Sequence, residues 1–87
     1  LMAYPPHEPP HVGELVYRTY IEPFENVTAT TTALALKVDP EIFSNFLDGK
    51  IDLTPELAIT LSEILGGSVE SWLSLQKTYD QYYKPST

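Results

Sequence analysis

The stretch Thr30-Thr31-Thr32-Ala33-Leu34-Ala35-Leu36-Lys37-Val38-Asp39-Pro40-Glu41-Ile42-Phe43-Ser44-Asn45-Phe46-Leu47-Asp48-Gly49-Lys50 decides how this chain folds. Asp39-Pro40-Glu41 is a helix start. Asp caps free backbone N–H groups, Pro suits the first helical position, and Glu complements the positive end of the helix dipole. Ile42, Phe43, Phe46 and Leu47 then follow at i, i+1, i+4 and i+5 as an apolar stripe. Gly49 is the residue type that closes a helix in the left-handed conformation. Upstream, the Ala and Leu residues at 33–36 predict a short helix over Thr30–Lys37. Its threonines weaken it, because β-branched side chains lose rotamer freedom in a helix. Two short helices separated by Lys37-Val38-Asp39, with an apolar residue inside the turn, follow the grammar of a helix-turn-helix. The same local pattern also fits an ordinary antiparallel helix pair in a small bundle.

Working outward, Val12, Leu15, Val16, Tyr20 and Ile21 recur at helical spacing until Pro23, and residues 24–29 read as a loop. Thr54-Pro55-Glu56 repeats the start grammar of Asp39-Pro40-Glu41, and Leu57, Leu61, Ile64 and Leu65 run to the stop at Gly66-Gly67. Ser68 opens a last helix carrying Trp72, Leu73, Leu75, Tyr79, Tyr82 and Tyr83 toward Pro85. No segment alternates like a strand. The expectation is therefore an all-α chain of five helices joined by short loops. Residues 1–10, with four of the eight prolines, read as a flexible Pro-rich tail. The domain is expected over 11–84, with 85–87 as a C-terminal tail.

Composition narrows the function. The 87 residues carry twelve Asp+Glu against five Lys+Arg, a formal charge of −7, so a general basic footprint for nucleic acid is absent. There is no cysteine, hence no disulfide and no zinc-thiolate site. No apolar run approaches the roughly 20 residues of a membrane span. No secretory leader is evident, and the cytoplasm is the expected location. The string His7-Glu8-Pro9-Pro10-His11 matches the H-E-x-x-H pattern of zinc proteases. That chemistry needs both histidines on one helix face, and two prolines inside the motif prevent the helix. Neither histidine has an identifiable Ser or Asp partner, and no glycine-rich phosphate loop exists. An enzyme, a metal site and a cofactor are all unexpected.

In a helix-turn-helix the second helix offers its outward polar residues to the major groove. Here these are Glu41, Ser44 and Asn45, which can meet base edges, with Lys37 and Lys50 placed for phosphates. Thr30 and Thr31 can donate hydroxyls to phosphates, or can simply belong to a poor helix tolerated by packing. On the last helix, Trp72, Leu73 and Tyr79 suit either a dimer face or the domain's own core. Tyr82 and Tyr83, near the chain end with little core left to cover, favour a dimer interface.

Beyond the local pattern, the chain resembles the HigA antitoxins within the lambda-repressor-like (XRE-type) helix-turn-helix group. His11-Val12-Gly13-Glu14-Leu15 resembles the family's H-P-G-E followed by an aliphatic residue, and Ile21-Glu22-Pro23-Phe24 its L-E-P-L. Phe46-Leu47-Asp48-Gly49-Lys50 resembles I-L-N-G-K, and Leu53-Thr54-Pro55-Glu56-Leu57-Ala58 resembles I-S-P-E-M-A. Ser68-Val69-Glu70-Ser71-Trp72-Leu73-Ser74-Leu75-Gln76 resembles S-P-E-x-W-L-N-L-Q, and Tyr79-Asp80 continues it. The order and near-identical spacing of these pieces make the set specific from about His11 to Tyr83. The resemblance implies a five-helix lambda-repressor-like bundle. It further implies a homodimeric transcriptional regulator of operator DNA, and a small basic RNA-cleaving toxin as partner.

One segment departs from the family. Where the turn and second helix often read G-V-S-R-S-T-L-S-R, this chain has Lys37-Val38-Asp39-Pro40-Glu41-Ile42-Phe43-Ser44-Asn45. Pro40 and Asn45 stand in place of both arginines. From Thr30 to Lys50, two lysines face three acids, Asp39, Glu41 and Asp48. Fewer phosphate-contacting cations mean weaker binding with a flatter salt dependence. The rival expectation is a helix-turn-helix fold that has lost its DNA role and serves as a protein-interaction module, its acidic surface suited to a basic partner.

Overall fold

In the computed structural model, which describes residues 9–84, the chain enters its first helix directly after Pro10. Residues 1–8 of the expected tail at 1–10, His7 among them, and the expected tail at 85–87 lie outside the described residues. Helix α1 (Val12–Val16) is capped by His11, whose Nδ1 accepts from the Gly13 N–H at 3.0 Å. The helix then widens into one π-helical turn, Tyr17–Ile21, where the Glu22 N–H reaches five residues back to the Tyr17 carbonyl at 2.8 Å. Pro23 follows and has no N–H with which to continue the ladder. Four further helices complete the described chain: α2 (Ala29–Leu36), α3 (Pro40–Leu47), α4 (Pro55–Ile64) and α5 (Val69–Tyr83). No strand occurs among the described residues, and the architecture is the expected all-α, five-helix bundle.

Side chains define where each helix starts. Asp39 accepts from the N–H groups of Glu41 and Ile42, Thr54 from Leu57, and Ser68 from Ser71. Pro40 and Pro55 open α3 and α4. Each such cap satisfies backbone donors that no helical carbonyl can reach, typically about 1 kcal/mol apiece.

The two helices of the central pair end alike. At α2, the Lys37 N–H bonds the Leu34 carbonyl and the Val38 N–H bonds Ala33. At α3, Gly49 bonds Phe46 and Lys50 bonds Asn45. This is the paired closure of a Schellman motif, which needs a left-handed residue. Gly49 supplies it freely at φ 78°, whereas Lys37 adopts φ 60° with a full side chain.

The core gathers Val12, Val16, Ala33, Phe43, Phe46, Ala58 and Leu61 as its most buried members, with Leu36, Leu57 and Trp72 around them. Phe43 and Phe46 are fully buried, their ring centroids 6.0 Å apart. The packing of α1 on α3 sets how deeply α3 sits. A Cβ on Gly13 would fall 1.8 Å from the Phe46 carbonyl oxygen, so only glycine permits this approach. Of the apolar stripe expected on α3, Phe43 and Phe46 are buried and Leu47 half-buried, but Ile42 stands 52% exposed. At 100° per residue, a face centred between residues 43 and 46 leaves residue 42 on its flank.

Two substitutions test this packing. Gly13→Ala overpacks backbone against backbone and should cost about 1–3 kcal/mol or more. Thermal unfolding should then shift down by at least ~5 °C. Lys37→Gly relieves the left-handed side chain and should raise the melting temperature by several degrees, about 1 kcal/mol.

Candidate nucleic-acid interface

Burying Phe43 and Phe46 turns the opposite side of α3 outward. Glu41, Ser44 and Asp48 are exposed there and Asn45 is half-buried, at the i, i+3, i+4, i+7 spacing of one helix face. Lys37 precedes this row and Lys50 follows it, both exposed. The structure therefore brings Lys37, Glu41, Ser44, Asn45 and Lys50 together on a single element and its two flanking turns.

Thr31 is placed differently from Thr30. Its hydroxyl belongs to the cap of α2: Thr28 Oγ1 accepts from the Thr31 N–H at 3.1 Å, and Thr31 Oγ1 accepts from the Thr28 N–H at 2.9 Å. Thr31 and Thr32 hydroxyls also donate to the Thr28 carbonyl. The expected phosphate-contacting role of Thr31 competes with this network, while Thr30 is exposed and holds no such bond among the described residues. Sequence alone does not announce this capping box of Thr28 with Thr31, because the reciprocal partner is usually Glu or Gln.

The charge of −7 is distributed unevenly. Asp39, Glu41, Glu56 and Glu70 cap helices or sit in first turns, where the dipole favours them. Of the five Lys and Arg, Arg18 pairs with Glu14, and Lys84 pairs with Asp52 and Asp80. Lys37, Lys50 and Lys77 have no ion-pair partner among the described residues. Two of these three bracket α3.

The aromatic residues of α5 do not form one outer face. Trp72 turns inward: it is 7% exposed, its indole N–H donates to the Gly66 carbonyl at 2.9 Å, and Tyr20 packs beside it. Of its two expected readings, dimer face or core, Trp72 takes the core one here, with the indole N–H satisfied inside the domain. Leu73 is half-buried against the same core. Tyr79 is half-buried with its ring edge-on to His11 at 5.0 Å, and stacks toward Tyr83 at 4.5 Å. Tyr82 lies 4.7 Å from Tyr83, and both are more than 40% exposed. Along α5, it is this terminal pair that presents exposed aromatic surface.

A polar knot ties the chain's start to its last helix. His11 is buried, with Nε2 at 3.5 Å from Asp52 Oδ1. Lys84 Nζ donates to Asp52 Oδ2 at 2.6 Å and lies 3.6 Å from Asp80. Gln76 donates to Asp80 and accepts from the buried Leu53 N–H. The hydrogen bond from Lys84, with a smaller part from His11, holds the Asp52 carboxyl below the usual carboxylate range. Asp52 and Lys84 are 32 residues apart, and no local spacing announces their pairing. His11, the second histidine of the H-E-x-x-H string, serves here as a helix cap.

Comparison with known proteins fixes the family. No protein-family model matches the chain. It is 37% identical over 70 residues to the uncharacterised HTH-type transcriptional regulator YddM of Escherichia coli K12, covering 80% of this chain and 72% of that protein. It is 35% identical over 72 residues to antitoxin HigA-1 of Vibrio cholerae, covering 83% and 67%. The chain belongs to the HigA antitoxin family of helix-turn-helix regulators. Solved structures agree with this fold. The antitoxin GraA superposes with a TM-score of 0.77 at 28% identity, over 90% of this chain and 83% of that one. A Pseudomonas aeruginosa protein bound to its 28-bp operator DNA gives 0.78 at 24% identity, over 86% and 81%, a likeness of fold. The HigA-family relatives are regulators and antitoxins, and this chain is a regulator, not an enzyme. No helix among its described residues is long and apolar enough to cross a membrane.

The knot predicts a pH dependence. The folded state lowers the affinity of Asp52 for a proton, so the stabilisation it provides is full above the ordinary carboxylate range and fades as pH falls through its folded value. In urea titrations at pH 7 and pH 3, Asp52→Asn should be less stable than the parent at pH 7. It should also lose less stability than the parent on acidification.

Proposed function

We propose that this HigA-family chain represses operator DNA as a homodimer and neutralises a small basic RNA-cleaving toxin in the cytoplasm. The observation that carries the DNA reading is the outward polar row of α3, set between two lysines without ion-pair partners among the described residues. In this reading α3 enters the major groove, Glu41, Ser44 and Asn45 meet base edges, and Lys37, Lys50 and Thr30 hold phosphates. Asn45 suits adenine, and Glu41 suits the cytosine amine. The fold shared with an operator-bound Pseudomonas aeruginosa protein supports the DNA partner, and the Vibrio cholerae antitoxin supports the toxin partner. The exposed Tyr82 and Tyr83 support a dimer contact through the end of α5.

A second reading is favoured by one feature: α3 itself carries no cation, and its outward row contains Glu41 and Asp48. A protein-interaction module would use the same acidic surface for a basic partner alone.

Gel-shift titration against duplex from the chain's own upstream region separates the two. Lys37→Ala and Lys50→Ala should each weaken binding on all sequences and lower the salt slope by about 1, the share of a single neutralised phosphate. Asn45→Ala should cost about 1–3 kcal/mol on the operator and little on unrelated duplex. A folded dimer that fails to bind at low salt would overturn the DNA reading.

A further inference from the structure

Several large apolar side chains are exposed, among them Leu34, Ile42, Ile59 and Ile64. Isolated exposed apolar residues are ordinary on protein surfaces. Ile42 differs from the other three in its address: it alone lies in the first turn of the second helix of the helix-turn-helix, between Glu41 and the outward pair Ser44 and Asn45. It is 52% exposed, although the half-buried Val38 and Ile51 line the groove beside it.

The rest of the helix fixes what this surface can recognise. With no Lys or Arg on α3, the bidentate contact to guanine that such residues provide is unavailable from the helix. What remains is an acceptor at Glu41, a hydroxyl at Ser44, an amide at Asn45 and an aliphatic branch at Ile42. In the major groove, the group that an aliphatic side chain recognises is the C5 methyl of thymine. We propose that Ile42 is a specificity-determining residue that reads a thymine methyl in each half-site of duplex DNA. The inference rests on the DNA-binding reading and adds to it a base identity and a residue outside the polar row. It also explains how a helix that carries acids selects sequence, since recognition of a methyl needs no positive charge.

The test uses the full chain and a randomised duplex library. Sequences enriched by the parent protein are resynthesised with each thymine replaced in turn by uracil, which pairs identically and lacks only the methyl. Affinities are then measured by fluorescence anisotropy at one salt concentration. At one position per half-site, uracil should weaken the parent roughly four-fold, the factor for one buried methyl. For Ile42→Ala and Ile42→Ser the same replacement should be silent, while circular dichroism matches the parent. If uracil is silent everywhere for the parent protein, or its effect survives unchanged in both variants, the inference is overturned and operator binding stands. If a folded protein enriches no sequence, the inference falls together with the DNA reading beneath it.

Discussion

The tightest constraint in the molecule is the absence of a side chain at residue 13. The Phe46 carbonyl occupies the space a Cβ would need, so α1 lies directly on the end of α3. That approach buries Phe43 and Phe46 and thereby decides which way the rest of α3 points. His11 caps α1 two residues before Gly13, its ring edge-on to Phe46 at 5.8 Å and against Gly49. The start of the domain and the close of the second helix are thus built at one place. Asp52, Asp80, Lys84 and Gln76 brace it from α5 and the loop before α4.

The same geometry resolves the apparent conflict between a charge of −7 and a DNA-binding family. Much of the negative charge is employed locally, as caps, as first-turn partners of helix dipoles, or in ion pairs with Arg18 and Lys84. The cations without ion-pair partners among the described residues include both lysines that bracket α3. Lys37 occupies the left-handed position where the HigA pattern commonly has glycine. A flexible turn residue is exchanged there for a cation, at some cost in backbone strain.

The helices, their order and the family are legible because their signals are local. Asp39-Pro40 and Thr54-Pro55 state helix starts, Gly49 states a stop, and the short motifs keep their spacing from His11 to Tyr83. The outward polar row of α3 follows from the same periodicity. Contacts made across the chain are not legible. Nothing near Gly13 reveals that Phe46 lies against it, and nothing near Asp52 points to Lys84. Spacing alone fits Trp72 to both core and interface, and the Gly66 carbonyl that accepts its N–H decides for the core. Ile42 fits the apolar stripe by spacing, yet with the buried face centred on Phe43 and Phe46 it lies on the flank, 52% exposed. The π-helical turn before Pro23 is invisible to a periodicity of 3.6.

In the proposed complex, Gly13 seats α3 so that its outer face, bracketed by Lys37 and Lys50, meets DNA. The most direct measurement is a backbone amide NMR titration of the labelled chain with duplex from its own upstream region. The largest shift changes should fall on Glu41, Ser44, Asn45 and the turns at Lys37 and Lys50. Changes confined to α5, with the α3 amides unmoved at saturation, would contradict it.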